Sequence, residues 1–181
     1  MTDWPQIVQE HGPIVWRTTY RLVNNEADAA DCFQRTFVAA LTLARTKTVH
    51  NWAAFLNRLA TLRALECLRD KRRHAARHIR LPEAGPADPK SINPLQTAET
   101  DELVDHLREA LAELDPRQGQ VFCLACLEDL SYQQISEQLG VSVSHVGVLL
   151  NRARARLKSL LEAHRSVSTA ESTREERPSH E

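Results

Sequence analysis

Glycine, aromatic residues and long apolar runs are all scarce in this sequence. Its 181 residues include 5 glycines, and aromatic residues make up 5% of the chain. Alanine, leucine, arginine, glutamate and glutamine are abundant instead, which favours helices over pleated sheets. No apolar run approaches the roughly 18 residues that a membrane-spanning helix needs, and residues 1–5 lack the pattern of a signal segment. We therefore expect a cytoplasmic, all-α protein with almost no strand and no membrane insertion.

The few cysteines give no sign of a disulfide framework. There are 4 of them, and each lies inside an apolar helical pattern: Cys32, Cys67, Cys123 and Cys126. Reduced thiols fit this arrangement better than the spaced bridges of a small secreted domain. The last two have the spacing of a redox or zinc pair, but no second ligand pair follows and no strand precedes them, so core packing is the preferred interpretation.

Histidine offers a second pair at ligand spacing. His74 and His78 are four residues apart, as two metal ligands on one helix would be, but they stand in a basic run where conditional positive charge is the simpler interpretation. We therefore expect no metal and no cofactor.

Charge is segregated along the chain although the net charge is only −1. Residues 56–80 carry an excess of about six positive charges, residues 81–105 are acidic, and a second basic run occupies residues 152–158. Two cationic segments separated by an acidic one suggest two contacts with a single polyanion.

Apolar periodicity divides the amino-terminal part into three helices. Asp3, Asn25 and Asn51 are suitable caps for helices over 4–23, from 26 to 44 and from 52 onward, and Gly12-Pro13 is expected to bend or interrupt the first. The second helix has a predicted buried stripe that consists of Ala29, Cys32, Phe33, Phe37, Ala40 and Leu41. Periodicity stops between residues 81 and 98, where prolines accumulate, and we expect a flexible linker there.

The carboxy-terminal part has the pattern of a helix-turn-helix unit. A helix begins near Glu99, and Asp115-Pro116 starts another that is expected to run to about residue 128. Ser131 with Gln134 predicts a capping box, Gly140 a tight turn, and Ser142 the cap of a last helix that ends near residue 163. An ordinary helical hairpin is the alternative, but the capped short helices, the glycine turn and the Arg-x-Arg-x-Arg run together favour DNA binding.

These residues resemble a known family in both halves of the chain. Residues 114–118, 130–135, 146 and 151–154 closely resemble the fourth conserved region of extracytoplasmic-function sigma factors. Residues 28–37 resemble that family's polymerase-binding helix, and residues 52–73 resemble its promoter-melting helix. The resemblance implies a region 2 domain of three to four helices over 1–80, an acidic, proline-rich linker over 81–98, a region 4 domain over 99–163 and a disordered tail over 164–181.

The resemblance also implies a function and a set of contacts. It implies a sigma factor that brings core RNA polymerase to promoter DNA and has no catalytic activity, and it makes an inhibitory anti-sigma factor an expected partner. Implied contacts to core polymerase are Asp31, Gln34 and Phe37. Implied contacts of an exposed face to the minus-ten element are Asn57, Arg58, Thr61 and Arg63, with the backbone phosphates held by Arg69, Lys71, Arg72 and Arg73. Implied contacts to the minus-thirty-five element are Ser142, Ser144, His145, Val148, Asn151, Arg152 and Arg154.

The sequence departs from the family pattern at five positions. Ala30 and Arg35 replace common acidic residues of the polymerase-binding helix, and Leu62 stands where an asparagine is common. Gly147 and Leu149 stand where the recognition helix often carries Lys and Arg. These departures predict weaker docking, fewer phosphate contacts and an unusual promoter preference or weak binding.

Three other functions are alternatives to the sigma-factor interpretation. A stand-alone helix-turn-helix regulator would bind DNA without polymerase and would normally need a two-fold dimer to span its half-sites. A sigma-like protein kept only as an interaction module is a third possibility, given the five departures. An enzyme has little support, since the sequence has no phosphate-binding glycine loop, no nucleophile elbow and no paired carboxylates in an obvious pocket.

Overall fold

The computed structural model describes residues 2–46, 48–77 and 94–175. Within these ranges there are seven helices and no strand: α1 (Trp4–Val23), α2 (Glu26–Leu43), α3 (Trp52–Arg77), α4 (Pro94–Glu113), α5 (Pro116–Cys126), α6 (Tyr132–Leu139) and α7 (Val143–Glu175). None of the described helices is long and apolar enough to cross a bilayer. The predicted all-α fold with two small helical domains is confirmed; α1–α3 form the amino-terminal domain and α4–α7 the carboxy-terminal domain.

Side chains that accept backbone hydrogen bonds determine where several helices begin. The side chains of Asn25 and Asn51 each accept a hydrogen bond of 3.0 Å from the amide three positions later. Ser131 and Gln134 form a complete capping box, with bonds of 3.2 and 2.8 Å. The Asp115 carboxylate caps α5 by accepting hydrogen bonds from the backbone amides of Arg117 and Gln118. These bonds satisfy amides that have no partner inside the helix, and they confirm the predicted starts.

The expected interruption of the first helix does not occur. α1 is continuous from Trp4 to Val23 with Pro13 inside it. Gly12 packs against the ring of Phe33, and the buried side chains Ile7 and Val15 anchor the helix on both sides of the proline. Tertiary packing therefore offsets the backbone hydrogen bond that proline cannot donate.

Two other helices are longer than expected. α4 begins at Pro94 rather than near Glu99, and proline is well suited to a first helical turn. α7 continues to Glu175 rather than ending near residue 163, and residues 164–175 contain no glycine or proline to stop it. The remaining parts of the predicted linker and tail, residues 81–93 and 176–181, lie outside the described residues, as does His78.

Buried apolar residues form three clusters, and one of them joins the two domains. The first lies inside the amino-terminal domain and includes Val15 and Leu56. The second contains residues from both domains: Leu22, Val23, Ala29, Cys32, Ala64, Leu65, Leu68, Ala110, Leu111, Ala112, Leu114, Cys123, Ala153 and Leu157. The third holds the helix-turn-helix together and includes Ile135 and Leu150. We call the second cluster the shared core, because it packs the two domains closely against each other.

Candidate nucleic-acid interface

The helix-turn-helix consists of α6, a glycine turn and α7. Gly140 ends α6 with a left-handed backbone (φ 64°), a conformation that side chains disfavour. The Ser136 hydroxyl donates a hydrogen bond of 2.6 Å to the carbonyl oxygen of Val141 and so ties α6 to the turn. Ile135 and Val146 are fully buried between the helices. The local sequence therefore holds α7 in a defined orientation with its outer face free.

Every predicted contact to the minus-thirty-five element is exposed on α7 or at its cap. These residues are Ser142, Ser144, His145, Val148, Asn151, Arg152 and Arg154. The Ser142 hydroxyl accepts a hydrogen bond of 3.2 Å from the backbone amide of His145. The Ser142 hydroxyl oxygen also lies 3.1 Å from the Ser144 hydroxyl oxygen. The arrangement presents hydroxyl, imidazole and amide groups before the arginines, as a major-groove helix requires.

The predicted minus-ten face is not exposed in this structure. Asn57 is 6% exposed and Thr61 is fully buried, contrary to the expectation of a solvent-facing surface. Asn57 lies in a hydrogen-bonded group that joins the domains: its side-chain amide donates to Glu128 Oε2 at 3.0 Å, and the Thr18 hydroxyl lies 2.8 Å from Asn57 Oδ1 and 3.2 Å from Glu128 Oε1. We call these three residues the Asn57–Glu128–Thr18 group. The carboxy-terminal domain covers this face, and sequence periodicity carried no information about that contact.

The two arginines predicted beside Asn57 are also engaged. Arg58 lies over the ring of Phe55, with 5.7 Å from the guanidinium carbon to the ring centroid, and burial lowers the pKa of Arg58. Its backbone oxygen accepts a hydrogen bond of 3.4 Å from Gln120 of the other domain. Arg63 pairs with Glu66 at 2.6 Å. The minus-ten candidates are therefore close together in space, but inside or beside the domain interface.

The basic run at the end of α3 is largely neutralised by acidic partners. Lys71 pairs with Asp28, and Arg73 pairs with Asp70. Arg72 reaches across to the carboxy-terminal domain and pairs at 2.7 Å with Glu113, which also lies 3.4 Å from Arg156. Glu113 thus bridges arginines from the two basic segments. That bridge was not anticipated, because no local sequence signal relates residues 72, 113 and 156.

Arg69 is the exception in this run. Among the described residues, its Nε and Nη2 atoms are buried and have no hydrogen-bond partner. Burial is the main cause that lowers the pKa of Arg69. Gly119 of α5 packs on this side chain, since a Cβ at position 119 would lie 3.4 Å from Arg69 Nη2. Domain packing therefore leaves a cationic group incompletely satisfied, which is unfavourable for the closed arrangement.

The predicted polymerase-binding residues lie on α2. Asp31 and Gln34 are exposed, and Phe37 is half-buried with its ring centroid 4.9 Å from that of Phe33. Val38 was not among the predicted contacts, although it is 66% exposed, and Leu41, which was predicted in the buried stripe, is 38% exposed. Residues 31, 34, 38 and 41 recur at helical spacing, so the exposed face of α2 combines polar and apolar groups.

The cysteine pair of the carboxy-terminal domain is packed as a core element. Cys123 is buried in the shared core, and burial raises its pKa to about 12. The Arg154 guanidinium lies 3.8 Å from the sulfur of half-buried Cys126. Among the described residues there is no group of three or more His, Cys, Asp or Glu side chains that could hold a metal ion.

Both domains of the chain match sequence models of known protein families. The sequence-family model described as Sigma-70 region 2 matches residues 7–74, and the model described as Sigma-70, region 4 matches residues 105–157. Together they cover more than half of the chain. An ECF RNA polymerase sigma factor, SigE from Mycolicibacterium smegmatis, is 32% identical over 173 residues, which are 95% of this chain and 66% of that protein. The chain thus spans slightly less than two thirds of that relative.

Two solved structures share the fold. The sigma factor RpoE from Bartonella quintana, crystallised with the anti-sigma factor NepR, has a TM-score of 0.50 at 21% identity, with 90% of this chain and 98% of that chain covered. CnrH, solved in complex with the cytosolic domain of CnrY, has a TM-score of 0.52 at 25% identity, with 88% and 87% covered. Both similarities extend over the two domains and not over one alone.

Proposed function

Because this chain belongs to the sigma-70 family, in its extracytoplasmic-function branch, we propose that it directs core RNA polymerase to specific promoters and starts transcription there. The observation that carries the proposal is the exposed face of α7, which gathers all seven predicted minus-thirty-five contacts on one side of a helix-turn-helix. Such a face positions a protein on duplex DNA through phosphates and reads sequence through base edges. The protein supplies recognition, and the polymerase supplies the chemistry.

Core polymerase binds the exposed face of α2 in this proposal. Asp31 and Gln34 provide the polar contacts, while Phe37 and Val38 provide apolar surface beside them. Replacement of acidic residues by Ala30 and Arg35 reduces the negative charge of this face; Arg35 also lies 3.6 Å from Asp31 and 3.7 Å from Glu66, so it screens the remaining carboxylates. A mixed polar and apolar patch of this kind suits a protein partner better than a nucleic acid.

Promoter melting requires the two domains to separate. The minus-ten candidates Asn57 and Thr61 are buried and Arg72 is paired with Glu113, so this face binds DNA only after the carboxy-terminal domain has moved away. Separation also frees Arg69, whose unsatisfied nitrogens would find partners in backbone phosphates. The described arrangement is therefore the resting form, and polymerase selects the separated form by binding it preferentially.

The partners follow from the same proposal. Core polymerase and promoter DNA are the partners that the protein binds during transcription initiation. Because both are found in the cytoplasm, the protein acts there in this proposal. An anti-sigma factor is the expected inhibitory partner, since the similar RpoE was crystallised with one. Such a partner would act by holding the polymerase-binding or DNA-binding faces covered.

A transcription assay with purified core polymerase tests this function. Discrete protein-dependent start sites on a genomic promoter library are expected for the wild type, with loss of these starts in Arg152→Ala and Asp31→Ala. Arg17→Ala and Glu162→Ala are matched controls, because they remove the same charges at exposed positions of α1 and α7 outside the proposed contacts. No transcription, combined with dimeric binding to free duplex, would support the stand-alone regulator instead.

A further inference from the structure

Two cysteines lie where α2 and α3 of the amino-terminal domain pack against each other. Cys32 is fully buried, and its sulfur lies 3.6 Å from the carbonyl oxygen of Arg63, one helical turn before Cys67. That carbonyl belongs to the turn of α3 that leads into Cys67, and Cys67 packs against the buried cluster that contains Cys32. Both are free in this structure. The two cysteines therefore lie on neighbouring turns of α2 and α3, at the contact between these helices.

Small side chains bring the two helices close together at this point. Ala29 and Ala64, each three residues before one of the cysteines, are both fully buried in the shared core. A disulfide requires Cα atoms about 4.4–6.8 Å apart, a separation that alanine-lined helix contacts permit.

The surroundings of Cys67 favour its thiolate. Cys67 is half-buried, so a small oxidant can reach it from solvent. The hydrogen bond from Cys32 lowers the pKa of Cys67, with a smaller contribution from the positive charges of Lys71 and Arg35, and these effects outweigh burial and Asp28. The same hydrogen bond, followed by burial, raises the pKa of Cys32. One thiol is therefore the better nucleophile, and the other remains protonated beside it.

We propose that Cys32 and Cys67 form a peroxide-oxidisable thiol pair, a modification site within the amino-terminal domain. The Cys67 thiolate attacks one oxygen of hydrogen peroxide; the O–O bond breaks, a sulfenic acid forms on Cys67, and hydroxide leaves and takes up a proton to become water. The Cys32 sulfur then attacks the sulfenic sulfur, loses its proton and displaces a second water. The product is one disulfide, and a dithiol reductant reverses it.

The other two cysteines provide a comparison within the same chain. Cys123 is buried with a raised pKa, and Cys126 is half-buried on the same helix. These two cysteines lie three residues apart on one helix, whereas Cys32 and Cys67 lie on two helices that pack against each other. Oxidation should therefore be selective for the pair in the amino-terminal domain.

The test is mass spectrometry of the full-length protein after brief exposure to hydrogen peroxide. We expect the treated protein to lose two of its four titratable thiols and to yield a peptide cross-linked between residues 32 and 67, which disappears after dithiothreitol treatment. The Cys32→Ala variant should instead accumulate a sulfenic acid on Cys67 that dimedone traps, and Cys126→Ser should still form the cross-link. This experiment uses no polymerase or DNA, so its outcome is separate from that of the proposed function.

Two results would overturn the proposal. One is the absence of the 32–67 cross-link at peroxide concentrations that leave the circular dichroism spectrum native. The other is a cross-link that forms no faster than sulfonation of Cys126, which would indicate unselective oxidation. The wild-type measurement alone decides between these outcomes, so the inference stays testable even if a cysteine variant fails to fold.

Discussion

Replacement of Glu128 by alanine should weaken the closed arrangement of the two domains. Its carboxylate accepts the side-chain amide of Asn57 at 3.0 Å and lies 3.2 Å from the Thr18 hydroxyl, and both partners belong to the other domain. Hydrogen bonds to a charged group contribute about 1.5–3 kcal/mol each, and removal of the acceptor leaves the buried Asn57 amide without a partner. Glu128 is half-buried, so solvent weakens these bonds. We therefore use the lower end of this range, about 1.5 kcal/mol, for the contribution of the whole Asn57–Glu128–Thr18 group to the stability of the closed arrangement.

The expected consequence is tighter binding of single-stranded minus-ten DNA. If the closed form dominates, the apparent dissociation constant is raised in proportion to the rarity of the open form. A loss of about 1.5 kcal/mol should therefore improve the affinity of Glu128→Ala by roughly tenfold. Fluorescence anisotropy with a labelled oligonucleotide measures the affinity, and small-angle scattering should record a larger radius of gyration.

Glu162→Ala is the matched control for this experiment. It removes one negative charge from the same domain at an exposed position of α7. Nonspecific attraction to DNA should increase to a similar degree in both variants, so the control isolates the effect of the interface. Equal affinities for the two variants, with unchanged scattering, would refute the argument that the Asn57–Glu128–Thr18 group controls access to the minus-ten face.

Three further predictions concern the helix-turn-helix. Gly147→Ala should stabilise the protein by up to about 1 kcal/mol in urea unfolding, because a Cβ there would lie in ordinary contact, 3.7 Å, with the Tyr132 ring; a lower midpoint would contradict this. Ser131→Ala should lower the free energy of unfolding by about 1 kcal/mol through loss of the capping box. Ser131→Asp keeps a capping acceptor and should retain most of this stability in the same urea titration. Ile135→Ala should lower the free energy of unfolding by about 2–5 kcal/mol because the side chain is fully buried. The variant should also lose helix, measured by circular dichroism, and with it duplex binding. A decrease below about 0.5 kcal/mol would contradict this and would mean that the neighbouring side chains fill the cavity.

Features determined by neighbouring residues could be predicted from the sequence. The caps at Asn25, Asn51 and Ser131 and the turn at Gly140 depend on contacts within three or four positions, and all of them are present. The outward position of the residues on α7 followed from the apolar pattern that buries Val146 and its neighbours. Local chemistry was therefore sufficient for the helix-turn-helix.

Features that depend on distant residues could not be predicted. The bond between Asn57 and Glu128 joins positions separated by 71 residues, and that between Thr18 and Glu128 joins positions separated by 110. No helical periodicity relates such residues, so the minus-ten face was expected in solvent. Pro13 is a similar case, since the packing of Gly12 on Phe33 is what allows the helix to continue past it.

The shared core has a consequence for how the protein unfolds. Leu65 of α3 and Leu111 of α4 are almost fully removed from water in one cluster, so neither domain completes its interior alone. The two domains should therefore melt in a single calorimetric transition, with a van't Hoff enthalpy that matches the total heat. A fragment ending at residue 77 should expose leucines that belong inside and should associate with itself in solution. Separation of the domains exposes these leucines to water, which raises the heat capacity. Because apolar burial contributes less at low temperature, the population of the closed form should fall on cooling.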